Sequence, residues 1–213
     1  MRKLPVYLLL DTSGSMMGEP IEQVKNGVQM LVSALRQDPY ALETAFLSVI
    51  AFSTTASQLV PLTELSAFQA PDLTATGTTS FGEALKLVTE RADQEVATTT
   101  ADVRGDWKPM VFIMSDGMPT DDWEKGFAQF QQRKWGIVVG CAVNDGDTDV
   151  LQKVCGEAVV RLSTSDSGAM AAFFKWVSAS ISTSSQKIDM EKTEVSGLDD
   201  LPPPPPEIDI VGL

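Results

Sequence analysis

Five apolar runs, at residues 6–10, 46–52, 110–114, 137–143 and 158–162, alternate with segments of helical spacing. Such runs suit strands covered on both faces. Between them, Ile21, Val24, Val28, Leu31, Val32 and Leu35 recur every three or four positions, after Pro20 at a first helical position and before Asp38-Pro39. Residues 81–97 return to that spacing through Leu85, Val88 and Ala92. Trp123, Phe127 and Phe130 mark a further helix, Leu151 and Val154 a short one, and Met170, Phe173, Phe174, Val177 and Ile181 a last one. Strand and helix alternate mostly one for one, which predicts an open α/β sheet, largely parallel, with helices on both faces. A short run at 57–62 lies close enough to 46–52 to form a hairpin, so one edge strand is expected to be antiparallel. Residues 71–80 and 98–106 read as loops.

The composition removes whole classes of function. The chain has no histidine, so Ser-His-Asp and Cys-His catalysis and His-ligated zinc or iron are out. Its two cysteines, Cys141 and Cys155, cannot build a thiolate zinc site; they read as free thiols, Cys141 as a buried small hydrophobe. Any metal must be held by oxygen, which selects Mg²⁺, Mn²⁺ or Ca²⁺. A net charge of −13 repels phosphate, so neither nucleic acid nor an anionic membrane is an expected partner. No stretch of 18 apolar residues is present, and the N-terminal apolar run is short, contains Pro5 and lacks a cleavage site. It reads as a first strand, and the chain as cytoplasmic.

Three loops at strand or helix ends carry the chemistry. Asp11-Thr12-Ser13-Gly14-Ser15 follows the first strand, Gly77-Thr78-Thr79-Ser80 precedes a helix, and Ser115-Asp116-Gly117 follows the 110–114 strand. In an open parallel sheet, functional groups gather at the carboxyl ends of strands near the point where strand order reverses. If the first strand and the 110–114 strand are neighbours there, Asp11 and Asp116 lie close together and repel. A divalent cation relieves that repulsion and recruits the hydroxyls of Ser13, Ser15 and Thr79. Ser13 and Ser15, two apart, point the same way if the backbone is extended. A cation held largely by neutral hydroxyls keeps much of its charge and takes one more anionic oxygen from outside.

These loops resemble the motifs of the von Willebrand factor type A (VWA) family, over about residues 6–181. Asp11-Thr12-Ser13-Gly14-Ser15 is similar to the family's D-x-S-x-S motif. Gly77-Thr78-Thr79-Ser80-Phe81-Gly82-Glu83-Ala84-Leu85 is similar to its threonine loop and following helix, with Thr79 in the ligand register and Thr78 where a second Gly is common. Ser115-Asp116-Gly117-Met118-Pro119-Thr120-Asp121 resembles its S/T-D-G-x-P-T-D loop. The resemblance implies a Rossmann-like sheet in the order 3-2-1-4-5-6 and a metal ion-dependent adhesion site (MIDAS), usually with Mg²⁺. Asp11, Ser13, Ser15, Thr79 and Asp116 would be its metal residues, the hydroxyls direct and the acids mostly through water. A partner's Asp or Glu would complete the octahedron. The Ser-Gly-Ser-Met-Met-Gly-Glu-Pro-Ile stretch and the acidic, proline-containing tail also resemble bacterial TerY-type proteins of tellurite-resistance gene clusters. That likeness implies a non-enzymatic scaffold working with a protein kinase and a phosphatase in a stress response.

Other residues carry plainer expectations. Ser15 could instead cap the first helix. Asp121 reads as a cap of the Trp123 helix, Asp122 as a solvated first-turn acid, and Asp145, Asp147 and Asp149 as an exposed acidic turn without the terminal Glu of a calcium loop. The four tryptophans read as packing residues. Met16 and Met17, in the metal loop, are expected to be exposed and to rim the contact. The alternative function is a metal-dependent, phosphatase-like hydrolase acting through Asp11 and Asp116. Asp11-Thr12-Ser13 superficially resembles the Asp-x-Asp loop of haloacid dehalogenase-type phosphatases, but Ser13 cannot serve as the acid/base, and no phosphate-cradling glycine loop is present.

The domain is expected to span residues 1–185 and an acidic tail residues 186–213. The tail has seven acids against Lys187 and Lys192, and five consecutive prolines, Pro202 to Pro206. It reads as solvated or as a docking segment; an acid between 199 and 209 could dock on the metal site of its own domain or of a neighbour as a competitor.

Overall fold

The computed structural model describes residues 2–144, 146–162, 167–191 and 198–211. The strands are β1 (Leu4–Asp11), β2 (Ala45–Phe52), β3 (Ala56–Glu64), β4 (Met110–Ser115), β5 (Ile137–Val143), β6 (Val159–Leu162) and β7 (Asp209–Ile210). The helices are α1 (Glu19–Leu35), α2 (Pro39–Thr44), α3 (Phe81–Glu95), α4 (Trp123–Phe130), α5 (Thr148–Cys155) and α6 (Ser167–Glu191). One sheet orders the strands β3-β2-β1-β4-β5-β6-β7. β2, β1, β4, β5 and β6 are parallel, and β3 pairs antiparallel with β2. The expected α/β architecture and the hairpin edge are both present.

β1 shows why its run had to be apolar throughout: every residue from Leu4 to Asp11 is buried. Leu4, Val6, Leu8 and Leu10 face one core with α1 and α6, through Val28, Leu31, Phe174 and Val177. Tyr7 and Leu9 face a second core with α3, through Phe81, Leu85 and Val88. Strand periodicity of two thus feeds both helical layers.

Two elements lay outside the sequence reading. α2 is only six residues long, too short to show a period; it begins where the Asp38 carboxylate accepts from Tyr40 N–H (2.9 Å) and Ala41 N–H (3.2 Å), with Pro39 at its first turn. β7 belongs to the tail, pairing antiparallel with β6 in the register Val160–Ile210 and Arg161–Asp209. The expected boundary after Ser185 falls inside α6. Beyond it, Leu201 and Ile208 are buried, Trp176 donates from Nε1 to the Pro202 carbonyl at 2.8 Å, and Lys187 pairs with Asp200 at 3.0 Å. The described part of the tail is therefore packed and not solvated. Its strand β7 lies on the β6 edge, with β6 and β5 between it and β4.

Burial of Leu201 and Ile208 contributes about 1.5–3 kcal/mol each, and the tail also covers an edge strand. Deleting residues 198–213 should lower the thermal midpoint by roughly 6–12 °C, from a loss of about 3 kcal/mol. It should also promote self-association through the bared β6. Calorimetry and light scattering read the two effects; an unchanged midpoint would contradict this packing.

Candidate metal centre

β1 and β4 are adjacent and parallel, with Leu10 opposite Met114, so both chains leave the sheet side by side at Asp11 and Ser115. Asp11 is fully buried. Its Oδ1 accepts from Ser13 N–H at 2.8 Å and its Oδ2 from Ser115 Oγ at 2.5 Å. The Ser13 and Ser15 hydroxyls lie 3.0 Å apart, and Ser15 Oγ donates to Asp116 Oδ1 at 2.7 Å. Four of the five expected residues are thus linked in one chain of contacts. They meet differently from the expected extended pair: residues 14–16 form a 3-10 turn that brings Ser15 back over Ser13. Ser15 is not a helix cap, because α1 starts at Glu19 behind Gly18.

Thr79 joins from the second loop. It is buried while Thr78 is exposed. Its N–H donates to Thr120 Oγ1 at 3.1 Å, and its carbonyl accepts from Thr120 N–H at 2.9 Å. A Cβ placed on Gly117 would sit 3.3 Å from Thr79 Oγ1 and 3.9 Å from Ser15 Oγ. Both hydroxyls therefore border the same small space, which Gly117 leaves open. The loop is clamped to the first by Gly14 N–H donating to the Gly77 carbonyl at 3.0 Å and Thr76 N–H to the Thr12 carbonyl at 2.8 Å. Gly77 has φ +76°, and a Cβ there would lie 2.1 Å from Thr54 Oγ1. Gly77→Ala should displace Thr79 and weaken divalent-cation binding at least tenfold, as read by calorimetric titration.

Burial raises the pKa of Asp11, and the nearby Asp116 adds to the rise; the bonds from Ser115 and Ser13 oppose it. Burial likewise raises Asp116, against the bond from Ser15. No basic side chain enters either balance. Two acids that are costly to ionise, beside three hydroxyls, form a donor set that fits a hard cation. Among the described residues no three His, Cys, Asp or Glu side chains cluster as metal ligands.

The supporting residues were less legible. Asp121 caps α3 and not the Trp123 helix: its carboxylate accepts from Gly82 N–H (3.1 Å) and Glu83 N–H (3.0 Å). This ties the third loop to the helix that follows Thr79. Asp122 pairs with Lys125 at 2.6 Å. Asp147 caps α5 through Asp149 N–H and Val150 N–H; Asp145 lies outside the described residues. Met16 is fully buried, contrary to expectation, while Met17 is 65% exposed; Met118, which carried no signal in the sequence, is 70% exposed. Trp107 and Trp176 are buried and Trp135 stacks on Phe130 at 4.6 Å, as packing residues do. Both cysteines are free, and burial pushes both thiols up.

A family model described as the von Willebrand factor type A domain matches residues 6–175. The chain belongs to the von Willebrand factor type A family. No curated protein matches it. Among solved structures, the VWA protein from Catenulispora acidiphila aligns with a TM-score of 0.64 at 16% identity, over 85% of this chain and 43% of that one. The pilus adhesin SpaC from Lactobacillus rhamnosus GG gives 0.69 at 13% identity, over 86% and 30%. Proximal thread matrix protein 1 from the mussel byssus, with a zinc-occupied MIDAS motif, gives 0.58 at 17% identity, over 83% and 46%. The chain spans less than half the length of each. At these identities the likeness is one of fold. No described helix is long and apolar enough to cross a membrane.

Proposed function

We propose that this VWA domain is a metal-dependent protein-binding module whose MIDAS captures a carboxylate of its partner. The observation that carries this reading is the convergence of Asp11, Ser13, Ser15, Thr79 and Asp116 at the carboxyl ends of β1 and β4. Ser13, Ser15 and Thr79 would hold the cation directly, and Asp11 and Asp116 mostly through water. When bound, Mg²⁺ supplies a positive, oxygen-seeking position at the surface; Mn²⁺ or Ca²⁺ suits the same donors, and a distant relative of this fold holds zinc. The protein's own part is to keep that position open on one side. Ser115 and the Ser13 amide hold Asp11 in place, Asp121 fixes the third loop to α3, and Gly117 leaves room for an incoming oxygen.

Binding is favoured over hydrolysis because both oxygens of Asp11 are engaged and the residue is buried, which leaves no free carboxylate nucleophile there. We take the domain that carries the site to include all of α6 and the segment packed on its β6 edge, rather than to end at residue 185. The TerY-like motifs support a cytoplasmic scaffold of a bacterial tellurite-resistance or stress-response phosphorylation system, with a protein kinase and a phosphatase as partners. Affinity capture from the native cell lysate, in Mg²⁺ and in EDTA, tests this. Partners retained only with Mg²⁺, and lost with Ser13→Ala plus Asp116→Ala, are expected; a kinase or phosphatase among them would support the scaffold role. Capture indifferent to EDTA and to the double substitution would reject the mechanism.

A further inference from the structure

We propose that a proline-walled groove at the start of β5 binds an extended segment of a protein partner, apolar at successive positions and flanked by Lys or Arg, which adds to the sheet as a short strand. The groove lies at the opposite end of the parallel sheet from the metal loops, so its use does not depend on the cation. β5 starts before its neighbour does. Ile137 to Val139 pair with Met110 to Phe112 of β4 on one side, whereas pairing with β6 begins only at Gly140, opposite Val159. Gly140 N–H donates to the Ala158 carbonyl at 2.8 Å, so the main-chain groups of Gly140 face the β6 side. Strand periodicity of two turns the N–H and C=O of Val138 the same way, where no described strand stands opposite them. A groove of about 860 Å³ opens there, lined by Ile137, Val138 and Val139.

The tail forms the other wall. Pro202, Pro203 and Pro204 line the groove, held by the Trp176 bond to the Pro202 carbonyl and by the pairing of β7 with β6. Proline has no N–H, so these residues cannot donate to the Val138 carbonyl. The tail therefore zips onto β6 but stands beside the open stretch of β5 without closing it. An exposed strand edge of this kind takes a strand from elsewhere through main-chain hydrogen bonds.

The walls set the side-chain chemistry of that strand. Ile137 and Val139 belong to the core shared with Trp176 and Leu201, and Val138 packs on the opposite core with Trp135 and Cys155. All four of these partners line the groove, so an inserted strand meets apolar surface on both faces and is apolar at successive positions. The charged side chains lining the groove are Glu157 and Asp199; both are exposed, and no Lys or Arg lines it. Neither acid makes an ion pair among the described residues. Together they attract a basic flank and repel an acidic one.

The test uses the full chain, in EDTA and in Mg²⁺, with capped pentapeptides followed by amide NMR. Lys-Val-Ile-Val-Lys should bind at least tenfold tighter than Glu-Val-Ile-Val-Glu, alike with and without the cation. It should shift the Val138 amide signal and slow the hydrogen exchange of that amide. Methylating the three central amide nitrogens, which removes the strand's donors, should weaken binding at least tenfold. Glu157→Lys with Asp199→Lys, both at the surface, should bring the Lys-to-Glu peptide ratio to one or below. No binding of the Lys peptide, or binding that shifts the β3 edge and leaves Val138 unmoved, overturns the proposal. An N-methylated peptide that binds as tightly also overturns it, by making the groove a site for apolar cations without strand pairing. A ratio unchanged by the double substitution overturns the choice of a basic partner. The carboxylate-capture reading stands or falls separately, because none of these measurements involves the metal loops.

Discussion

Adding Mg²⁺ or Mn²⁺ to the metal-free protein should raise its thermal midpoint by roughly 5–10 °C once the cation exceeds its dissociation constant a hundredfold. A ligand bound only to the folded chain at that excess contributes about 2.7 kcal/mol, and a domain of this size gains about 2–4 °C for each kcal/mol. The source is specific. Asp11 and Asp116 are pushed toward their neutral forms by burial, with no basic side chain to offset it. A cation at the cradle favours both ionised forms. Ser13→Ala with Ser15→Ala removes two hydroxyl donors while leaving the acids, so the rise should shrink below about 2 °C, a cation effect of under 1 kcal/mol. Scanning calorimetry in EDTA and in each metal measures it. A rise that survives the double substitution would place the cation elsewhere.

Asp116→Asn should make the metal-free protein more stable and the metal-bound protein no better. An acid whose pKa is raised on folding holds its proton more tightly in the folded chain. Its contribution to stability is therefore greatest at low pH and is lost as the pH rises through the carboxylate range toward the raised value. At neutral pH the ionised Asp116 is a cost, which Asn removes while still accepting from Ser15. Asn should raise the midpoint in EDTA, and the gain should fade as the pH is lowered. With Mg²⁺ present, the order should reverse, because the wild type alone takes up the cation well. A variant less stable than wild type in EDTA at pH 7 would show that Asp116 supports the fold and not the site.

Legibility in the sequence followed the range of the forces involved. β1, β2, β4, β5 and β6 could be read because both helical layers demand apolar residues, a demand written locally at Leu8 and Leu9 or Ile113 and Met114, and the edge strand β3 because it follows β2 closely enough for a hairpin. The site could be read because its donors sit in three short loops, each at a strand or helix end. What the sequence hid depended on distant partners. β7 is two residues beyond a run of prolines, and only the open edge of β6 makes it a strand. Asp121 looked like a cap of its own neighbouring helix, but the bonds it makes are to α3, some forty residues away. Met16 and Met17 are chemically alike; the 3-10 turn alone sends one inward and the other out. Ser115 lay inside a quoted motif, yet its role as the donor that orients Asp11 required the pairing of β1 with β4.

The central claim is that the hydroxyls and acids at the ends of β1 and β4 hold a divalent cation with one side open to a partner. Crystals grown with Mn²⁺ test it directly through the anomalous signal. A single strong peak bordered by Ser13, Ser15 and Thr79, with Asp11 and Asp116 behind it and a water or foreign oxygen on the open side, is the predicted result. An anomalous map without a peak there, at a Mn²⁺ concentration that saturates the calorimetric titration, would contradict it.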